Sequence, residues 1–469
     1  MRTTVDKCVS AENRIEVVGW VDSKRDHGKL TFIDIKDHTG VLQVVGRNLL
    51  RDLNLGDVIS VYGEVKKRPE KMVNPNLPTG DRELVAESYA IVNKSGPLPI
   101  PTEGDGYEVS EDMRLRYRYL DLRRERLQKN LRLRSNLFHE LRGYLRQYGF
   151  IEIETPLLTK STKEGARDFI VPSRTYPGCC YALPQSPQQY KQLLMAAGFE
   201  KYYQFARCVR DEDPRADRGF EFTQLDLEMA YVNHETDILW RVEQILRAAM
   251  SKARVPFSEP KDCNTKEWES CRFQVLTYGD ALEKYGTDKP DIRTVGEKEL
   301  GTLAFCWVVR FPMFKPAKDA VDKIDSKSDW TFMHNPFSAP IPNNVQWLLK
   351  GDNIAQITAM QFDLVCNGLE LGSGSIRSHR SDLLAATFKI MGYSDDEIKE
   401  SVGHMLEAFD LGAPPHGGMA LGLDRLVMLA CGEQNLKEVV AFPTSTTGRT
   451  SVMDAPCEIR KDQRKELGL

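Results

Sequence analysis

The 469-residue chain is predicted to be α+β, with an all-β barrel or sandwich at its N-terminus and a larger unit built on an antiparallel sheet flanked by helices. Two patterns lead to this reading. Residues 13–93 read as five short alternating segments with turn residues between them, including "DHTG", the signature of a small closed β unit. Beyond residue 125, strand-like and helical segments are mixed, and several strands follow one another with no helix between them. That order favours antiparallel over doubly wound parallel topology.

The barrel strands are "RIEVVGWV", "KLTFIDIKD", "GVLQVVG", "DVISVYGEVKKR" and "RELVAESYAIV". A Pro-rich segment, "SGPLPIPTEGDG" (Ser95 to Gly106), follows and suits a linker rather than a helix or an inner strand. Met113 to Gln147 carries eleven Lys/Arg against three Asp/Glu, with Leu127, Leu131, Phe138, Leu141, Leu145 and Tyr148 at helical spacing. An amphipathic helix with a basic face is expected, facing solvent, an RNA backbone or a like subunit. The expected domains are 1–94, a linker or hinge over 95–125, and 126–469.

Composition bounds the function without choosing it. Hydrophobic content of 41%, charge of 28% and a net charge of −4 are ordinary for a globular protein, so a nucleic-acid partner would need local basic surface. No apolar run nears the ~20 residues that span a bilayer, and "MRTTVDKCVS" lacks a signal-peptide core, so a cytoplasmic protein with no membrane partner is expected. The ten cysteines show no zinc spacing and read as reduced. No GxxxxGK[ST] and no strand-linked GxGxxG is present.

The most informative stretch is "FARCVRDEDPRADRGFEFTQLDLEM", Phe205 to Met229. Its two ends alternate like strands. Leu225, Leu227 and Met229 share one face, and Gln224, Asp226 and Glu228 share the other. The turn between them exceeds the two to five residues a hairpin needs, and it interleaves Arg210, Arg215 and Arg218 with Asp211, Glu212, Asp213 and Asp217. Arginine forks suit phosphate, so this is either a functional loop or a salt-bridged surface turn. Two further segments favour a ligand. "GLELGSGSIRSH" (Gly368 to His379) sets Glu370 and Arg377 among glycines, seven residues after Asp363, and two carboxylates suit one divalent cation. "GGMALGLDRLVML" (Gly417 to Leu429) runs from a strand into a helix with Arg425 near its start, a credible anion site.

Together these motifs resemble the class II aminoacyl-tRNA synthetases, and among them the bacterial-type aspartyl enzymes. "GFIEIETPLLTKSTKEGARDF" resembles motif 1 and the loop after it, "FARCVRDEDPRADRGFEFTQLD" motif 2 and "GMALGLDRLVML" motif 3. "LPQSPQQYKQLLM" and "LELGSGSIR" resemble the amino-acid pocket, and "RYRYLDLR" the hinge. The resemblance implies an OB-fold that binds the anticodon, a class II catalytic domain, ATP as substrate, Mg2+, L-aspartate, tRNA(Asp), a homodimer through motif 1 and Pro156, and ligation by way of aspartyl-adenylate.

By position, it implies Arg210, Glu370 and Arg425 as catalytic, and ATP contacts at Arg210, Asp211, Glu212, Gly219, Glu370, Gly422, Leu423, Asp424 and Arg425. Aspartate contacts fall at Glu164, Ser186, Gln188, Lys191, Asp226, His334 and Arg377, and metal ligands at Asp363 and Glu370. Anticodon contacts fall at Phe32 and Gln43. His27 stands where strictly tRNA(Asp)-specific members have leucine, which resembles members that also charge tRNA(Asn). A fold-retaining inactive paralogue and a tRNA-independent ligase are the rivals. Retention of Arg210, Glu370 and Arg425 speaks against the first, and the N-terminal barrel against the second.

Four departures stand out. The usual inserted domain is reduced to a remnant around 262–330, Gly219-Phe220 replaces Gln-Pro, Asn335 replaces a second histidine in "MHNPF", and Arg310 replaces an acid in "VVRFPMF".

Overall fold

In the computed structural model, which describes residues 2–10, 14–162, 165–232, 234–258, 273–319 and 326–468, the chain divides into two compact units, Met1–Arg124 and Glu125–Leu469.

The first unit is a closed five-stranded barrel of β1 (Arg14–Asp26), β2 (Leu30–Lys36), β3 (Val41–Arg47), β4 (Val58–Lys67) and β5 (Arg82–Asn93), ordered β1-β2-β3-β5-β4. Alternation dictates its interior: Val17, Val21, Ile33, Ile35, Leu42, Val44, Ile59, Val61 and Leu84 point inward and are buried. The expected single helix after the linker is broken into α1 (Glu111–Arg116), α2 (Arg118–Asp121) and α3 (Glu125–Gln147). Tyr117 leaves the helical region at φ −106°, ψ 38°. Arg114, Arg118 and Arg124 converge there on the fully buried Asp121.

The second unit carries an eight-stranded sheet. Its strands are β6 (Ile151–Glu152), β9 (Lys201–Val209), β10 (Glu221–Ala230), β11 (Gln274–Thr277), β12 (Phe305–Val309), β15 (Gln361–Cys366), β16 (Leu369–Ile376) and β17 (His416–Gly422), in the order β11-β12-β15-β16-β17-β10-β9-β6. Only the two outermost pairings, β11 with β12 and β6 with β9, are parallel. Outside the sheet lie the ribbons β7 (Ile170–Pro172) with β8 (Cys180–Ala182), and β13 (Phe314–Pro316) with β14 (Trp330–Phe332).

Among the helices, α3 and α5 (Glu235–Ala253) cover one face of the sheet. Leu137, Leu141 and Leu145 of α3 and Ile238, Val242, Ile245 and Leu246 of α5 pack with Leu225, Leu227, Leu364, Met419 and Leu421 of the strands. α9 (Ser381–Ile390) and α10 (Asp395–Asp410) form a second core with Phe332 and Phe337. The helix α4 (Gln188–Ala196) and α11 (Leu423–Ala430) flank the site described below; α6 (Tyr278–Tyr285), α7 (Val295–Glu299), α8 (Val345–Lys350) and α12 (Lys461–Leu467) are peripheral to it.

The basic face of 113–147 is committed inside the chain. Besides the three arginines on Asp121, Arg126 pairs with Glu433 and Glu438, Arg134 with Asp424 and Arg142 with Glu152. Six of the eleven cations are therefore spoken for by carboxylates of their own unit. Among the described residues no helix is long and apolar enough to cross a membrane, and the eight described cysteines are free.

Candidate active site

The parity of β10 creates the site. Leu225, Leu227 and Met229 enter the core, so Gln224, Asp226 and Glu228 point the opposite way. There Gln224 and Asp226 meet a cavity of about 370 Å³ instead of solvent, and Glu228 is fully buried next to them. Its floor is β10, β16 and β17; its walls come from α4, the loop 210–220, residues 332–337 and the start of α11. Of the expected residues, Ser186, Gln188, Lys191, Arg210, Glu212, Gly219, Asp226, His334, Glu370, Arg377, Gly422, Asp424 and Arg425 line it. Asp211, Leu423 and Asp363 do not. Glu164 lies outside the described residues.

One end holds four charges that are essentially buried. Lys191 Nζ lies 2.8 Å from Asp226 Oδ1 and 3.5 Å from Glu228 Oε2. Arg377 donates from Nε and Nη2 to the two Glu228 oxygens at 2.8 and 3.2 Å, from Nη1 to Ser375 Oγ at 2.8 Å and from Nη2 to the Gly418 carbonyl at 3.0 Å. Burial pushes the Glu228 carboxyl up, but Arg377 and Lys191 outweigh it and hold the group below its usual range. Gly418 is required here, because a Cβ would run into the Glu228 carboxylate and the Leu227 carbonyl. Asp226 Oδ2 is buried and has no partner, so an acceptor waits at the cavity wall.

Beside this quartet, Gln188 Nε2 donates to Gln192 Oε1 at 2.8 Å, and Gln192 Nε2 donates to His416 Nε2 at 3.0 Å. His416 Nδ1 donates to the Pro414 carbonyl at 2.8 Å, which fixes the neutral tautomer. Burial pushes its pKa down to about 4. His334 Nε2 lies 3.0 Å from Asp363 Oδ2, and its buried Nδ1 has no partner. Burial would lower the His334 pKa, but Asp363 reverses the direction. Asn335, which replaces a histidine, turns Oδ1 to the Phe337 N–H and so shapes the wall.

The other end gathers the phosphate-type groups. The Arg210 guanidinium stacks 5.0 Å over the Phe222 ring, and its Nε is buried without a partner. Arg425 donates from Nε and Nη2 to Asp217 at 3.1 Å each and from Nη1 to the Glu370 carbonyl at 2.8 Å. The Glu212 carboxylate accepts from Arg218 at 3.4 Å. Glu370 lies 2.9 Å from Lys289 Nζ; burial opposes ionisation, yet Lys289 leads the charges that hold its pKa near 2. Gly219 and Gly422 offer backbone to the cavity.

The three expected residues that miss the cavity wall have identifiable reasons. The Leu423 side chain is fully buried in the core. Asp211 faces Arg167 at 3.9 Å. Asp363 sits behind His334, its other oxygen accepting from Gln361 at 3.2 Å. Asp424 reaches the wall but spends its carboxylate on the Thr223 N–H and on Arg134. Arg310 pairs with Glu235 at 2.8 Å, outside the cavity.

Sequence reasoning named Glu228 and Asp217 without giving either a role, and did not name Lys289 or Lys315. Six Lys/Arg side chains line the cavity, and Lys191, Arg218, Arg377 and Arg425 have carboxylate partners. Among the described residues, Arg210 and Lys315 have none.

In the barrel, His27 is exposed and sits edge-on to the half-buried Phe32, with centroids 5.7 Å apart. Gln43, the other expected anticodon contact, is engaged within the barrel. It is buried, donates to Glu83 at 3.0 Å and accepts from Arg68 at 3.1 Å, because cations on both sides of its strand need an acceptor.

Residues 110–446 match the family described as tRNA synthetases class II (D, K and N), and residues 15–92 match the OB-fold nucleic acid binding domain. The chain belongs to the class II tRNA synthetases. It is 37% identical to an aspartate–tRNA(Asp/Asn) ligase of Chlorobium chlorochromatii, covering 98% of this chain and 94% of that one. The corresponding ligases of Phenylobacterium zucineum and Bifidobacterium longum are 35% and 36% identical, with 97% of this chain and 95% of theirs covered. The Chlorobium alignment runs over 589 positions against 469 residues here, so at least 120 positions of it have no counterpart in this synthetase. Among solved structures, an aspartyl-tRNA synthetase from Entamoeba histolytica superposes with a TM-score of 0.70 at 20% identity, covering 94% of this chain and 91% of that one. An asparaginyl-tRNA synthetase from Pyrococcus horikoshii does so at 0.69 and 21%, covering 92% and 95%. These two establish the fold.

Lys191→Met leaves two buried carboxylates facing Arg377 alone, a loss of about 3 to 5 kcal/mol. Thermal unfolding is expected to show it, and adding Asp226→Leu is expected to restore most of the stability without restoring activity. His416 sets an acid limit. Its folded pKa near 4 lies below the ordinary value of 6.5, so its contribution is complete above 6.5 and is lost as pH falls toward 4, by up to about 3 kcal/mol. His416→Gln is expected to shallow the fall in unfolding midpoint over that range.

Proposed function

We propose that this synthetase activates L-aspartate with ATP and transfers it to the 3′ end of tRNA(Asp), and of tRNA(Asn) as well. The observation that carries the amino-acid choice is the donor inventory of the quartet. Lys191 has three N–H donors and faces two carboxylates; Arg377 has five and uses four. Each cation keeps one donor, together enough for one carboxylate, while the unpartnered Asp226 oxygen accepts an ammonium. A lysine side chain would meet cations there. An amide would waste their charge.

In this reading the α-carboxylate of aspartate attacks the α-phosphorus of ATP and pyrophosphate leaves. The terminal ribose hydroxyl of tRNA then attacks the activated carbonyl and AMP leaves. The protein contributes position and charge. Arg210, which lines the cavity and has no counter-ion among the described residues, takes the α-phosphate; Arg425 takes the γ-phosphate by releasing Asp217; Glu212 and the backbone at Gly219 and Gly422 face the nucleoside. Asp211, Leu423 and Asp424 act through the backbone or behind the wall.

Magnesium takes one or two carboxylates plus phosphate oxygens. Glu370 and Asp363 fit that need, since the register of β15 and β16 puts them on one face, with Glu370 paired to Lys289 and Asp363 in contact with His334. Among the described residues no three metal-type side chains cluster, so phosphates would complete the shell. The ion would supply charge neutralisation on the polyphosphate.

The barrel is read as the anticodon module, with Phe32 stacking a base beside His27; Gln43 reaches a base only by leaving Glu83 or Arg68. We also read the protein as a cytoplasmic homodimer. The names of the curated relatives support the relaxed tRNA choice.

Aspartate-dependent ATP–pyrophosphate exchange tests the reading. Arg210→Ala is expected to lower exchange about 10²- to 10³-fold and Arg377→Ala to abolish aspartate use; exchange driven by asparagine, or undiminished in Arg210→Ala, overturns it. For tRNA choice, purified tRNA(Asp) and tRNA(Asn) charged side by side should both accept aspartate. His27→Leu should depress the second more than the first, and equal effects remove the role.

A further inference from the structure

The two residues where the β9–β10 loop departs from its family, Gly219 and Phe220, show a division of labour. Gly219 lines the cavity, and a Cβ there would meet nothing closer than 3.5 Å, so its side of the loop is open. Phe220 turns away from the cavity. Its ring lies edge-on to Phe169, centroids 5.4 Å apart, at 72°. On another side it presses on Gly448, where a Cβ would stand 2.9 and 3.1 Å from two ring carbons. Gly448 itself has φ +79° and forms the tip of a self-bonded turn: its N–H donates to the Ser445 carbonyl at 3.1 Å, and Ser445 N–H donates to the Arg449 carbonyl at 2.7 Å.

One ring thus joins three segments distant in sequence, the loop before β7, the β9–β10 loop and the turn at 445–449. The same residue closes the neck of the charged loop, because the Arg210 N–H donates to the Phe220 carbonyl at 2.8 Å. Among the described residues Arg210 has no carboxylate to hold its side chain, only the Phe222 face. Its backbone is therefore the principal constraint on where the guanidinium points.

We infer that Phe220 is a positioning residue for Arg210, seated on Gly448 and Phe169, and that it sets the affinity for the ATP phosphates without touching them. The inference rests on the reading of Arg210 as the phosphate ligand. A displacement of about 1 Å in such a group can cost up to ~100-fold in rate.

The test is exchange kinetics on the full-length protein, with KM for ATP and for aspartate measured separately. Phe220→Ala is expected to raise KM for ATP by about tenfold or more and lower kcat, with KM for aspartate within about twofold of the parent, and Phe220→Leu is expected to recover most of the loss. Gly448→Ala, which pushes a methyl into the ring, is expected to raise KM for ATP in the parent but to add nothing to it once Phe220 is alanine. An unchanged KM for ATP in Phe220→Ala overturns the inference, as does a parallel rise for both substrates or full additivity with Gly448→Ala. Arg210→Ala in the same assay separates the outcomes. If that variant retains exchange, the phosphate reading itself has failed; if it loses exchange while Phe220→Ala does not, only the positioning role has.

Discussion

The catalytic unit depends on four buried charges, Lys191, Asp226, Glu228 and Arg377, which neutralise one another on the cavity side of β10. Each is costly alone in a low-dielectric setting, and any one removed leaves an uncompensated charge. They also fix geometry. Arg377 ties β16 to β10 through Glu228 and to β17 through the Gly418 carbonyl, and Lys191 brings α4 down onto the same strand. The quartet is thus a structural tie among four elements as well as one end of the cavity.

The chemistry at the opposite end follows a looser rule. There the cations are held by loop carboxylates or by none, as with Arg425 on Asp217 and Arg210 on an aromatic face. Such contacts give way to a ligand more easily than a buried quartet. The site therefore has a rigid half, suited to choosing an amino acid, and an adjustable half, suited to gripping and releasing phosphates.

Much of this was legible in the sequence, for reasons that also mark the limits. The barrel strands announce themselves by period and by turn residues, which are local signals. The parity of β10 was equally plain, but alternation gives a face and not a depth; Gln224, Asp226 and Glu228 looked like a surface row. Glu228 could not be assigned because its partner, Arg377, lies 149 residues away. The same holds for Lys289 on Glu370 and for Arg126 and Arg134, whose carboxylates sit near the C-terminus and made an apparent RNA-facing surplus into internal pairing. "CWVVRFPMF", an almost wholly apolar run, is divided between β12 and β13 where Arg310 adopts φ +64° before Pro312. The partners of Gln43 were hidden for a related reason: only the folded barrel brings Arg68 and Glu83 to it.

The Asp217 contact with Arg425 bears on selectivity among anions. A tethered carboxylate competes with any incoming ligand at an effective concentration in the millimolar range. A small anion that engages Arg425 alone must displace it with nothing gained elsewhere. A longer polyanion that reaches Arg210 in the same event, where none of the described carboxylates stands, is favoured by the second contact. The loop therefore acts as a built-in competitor that discounts lone phosphate, and it does so with a side chain that never needs to touch the substrate.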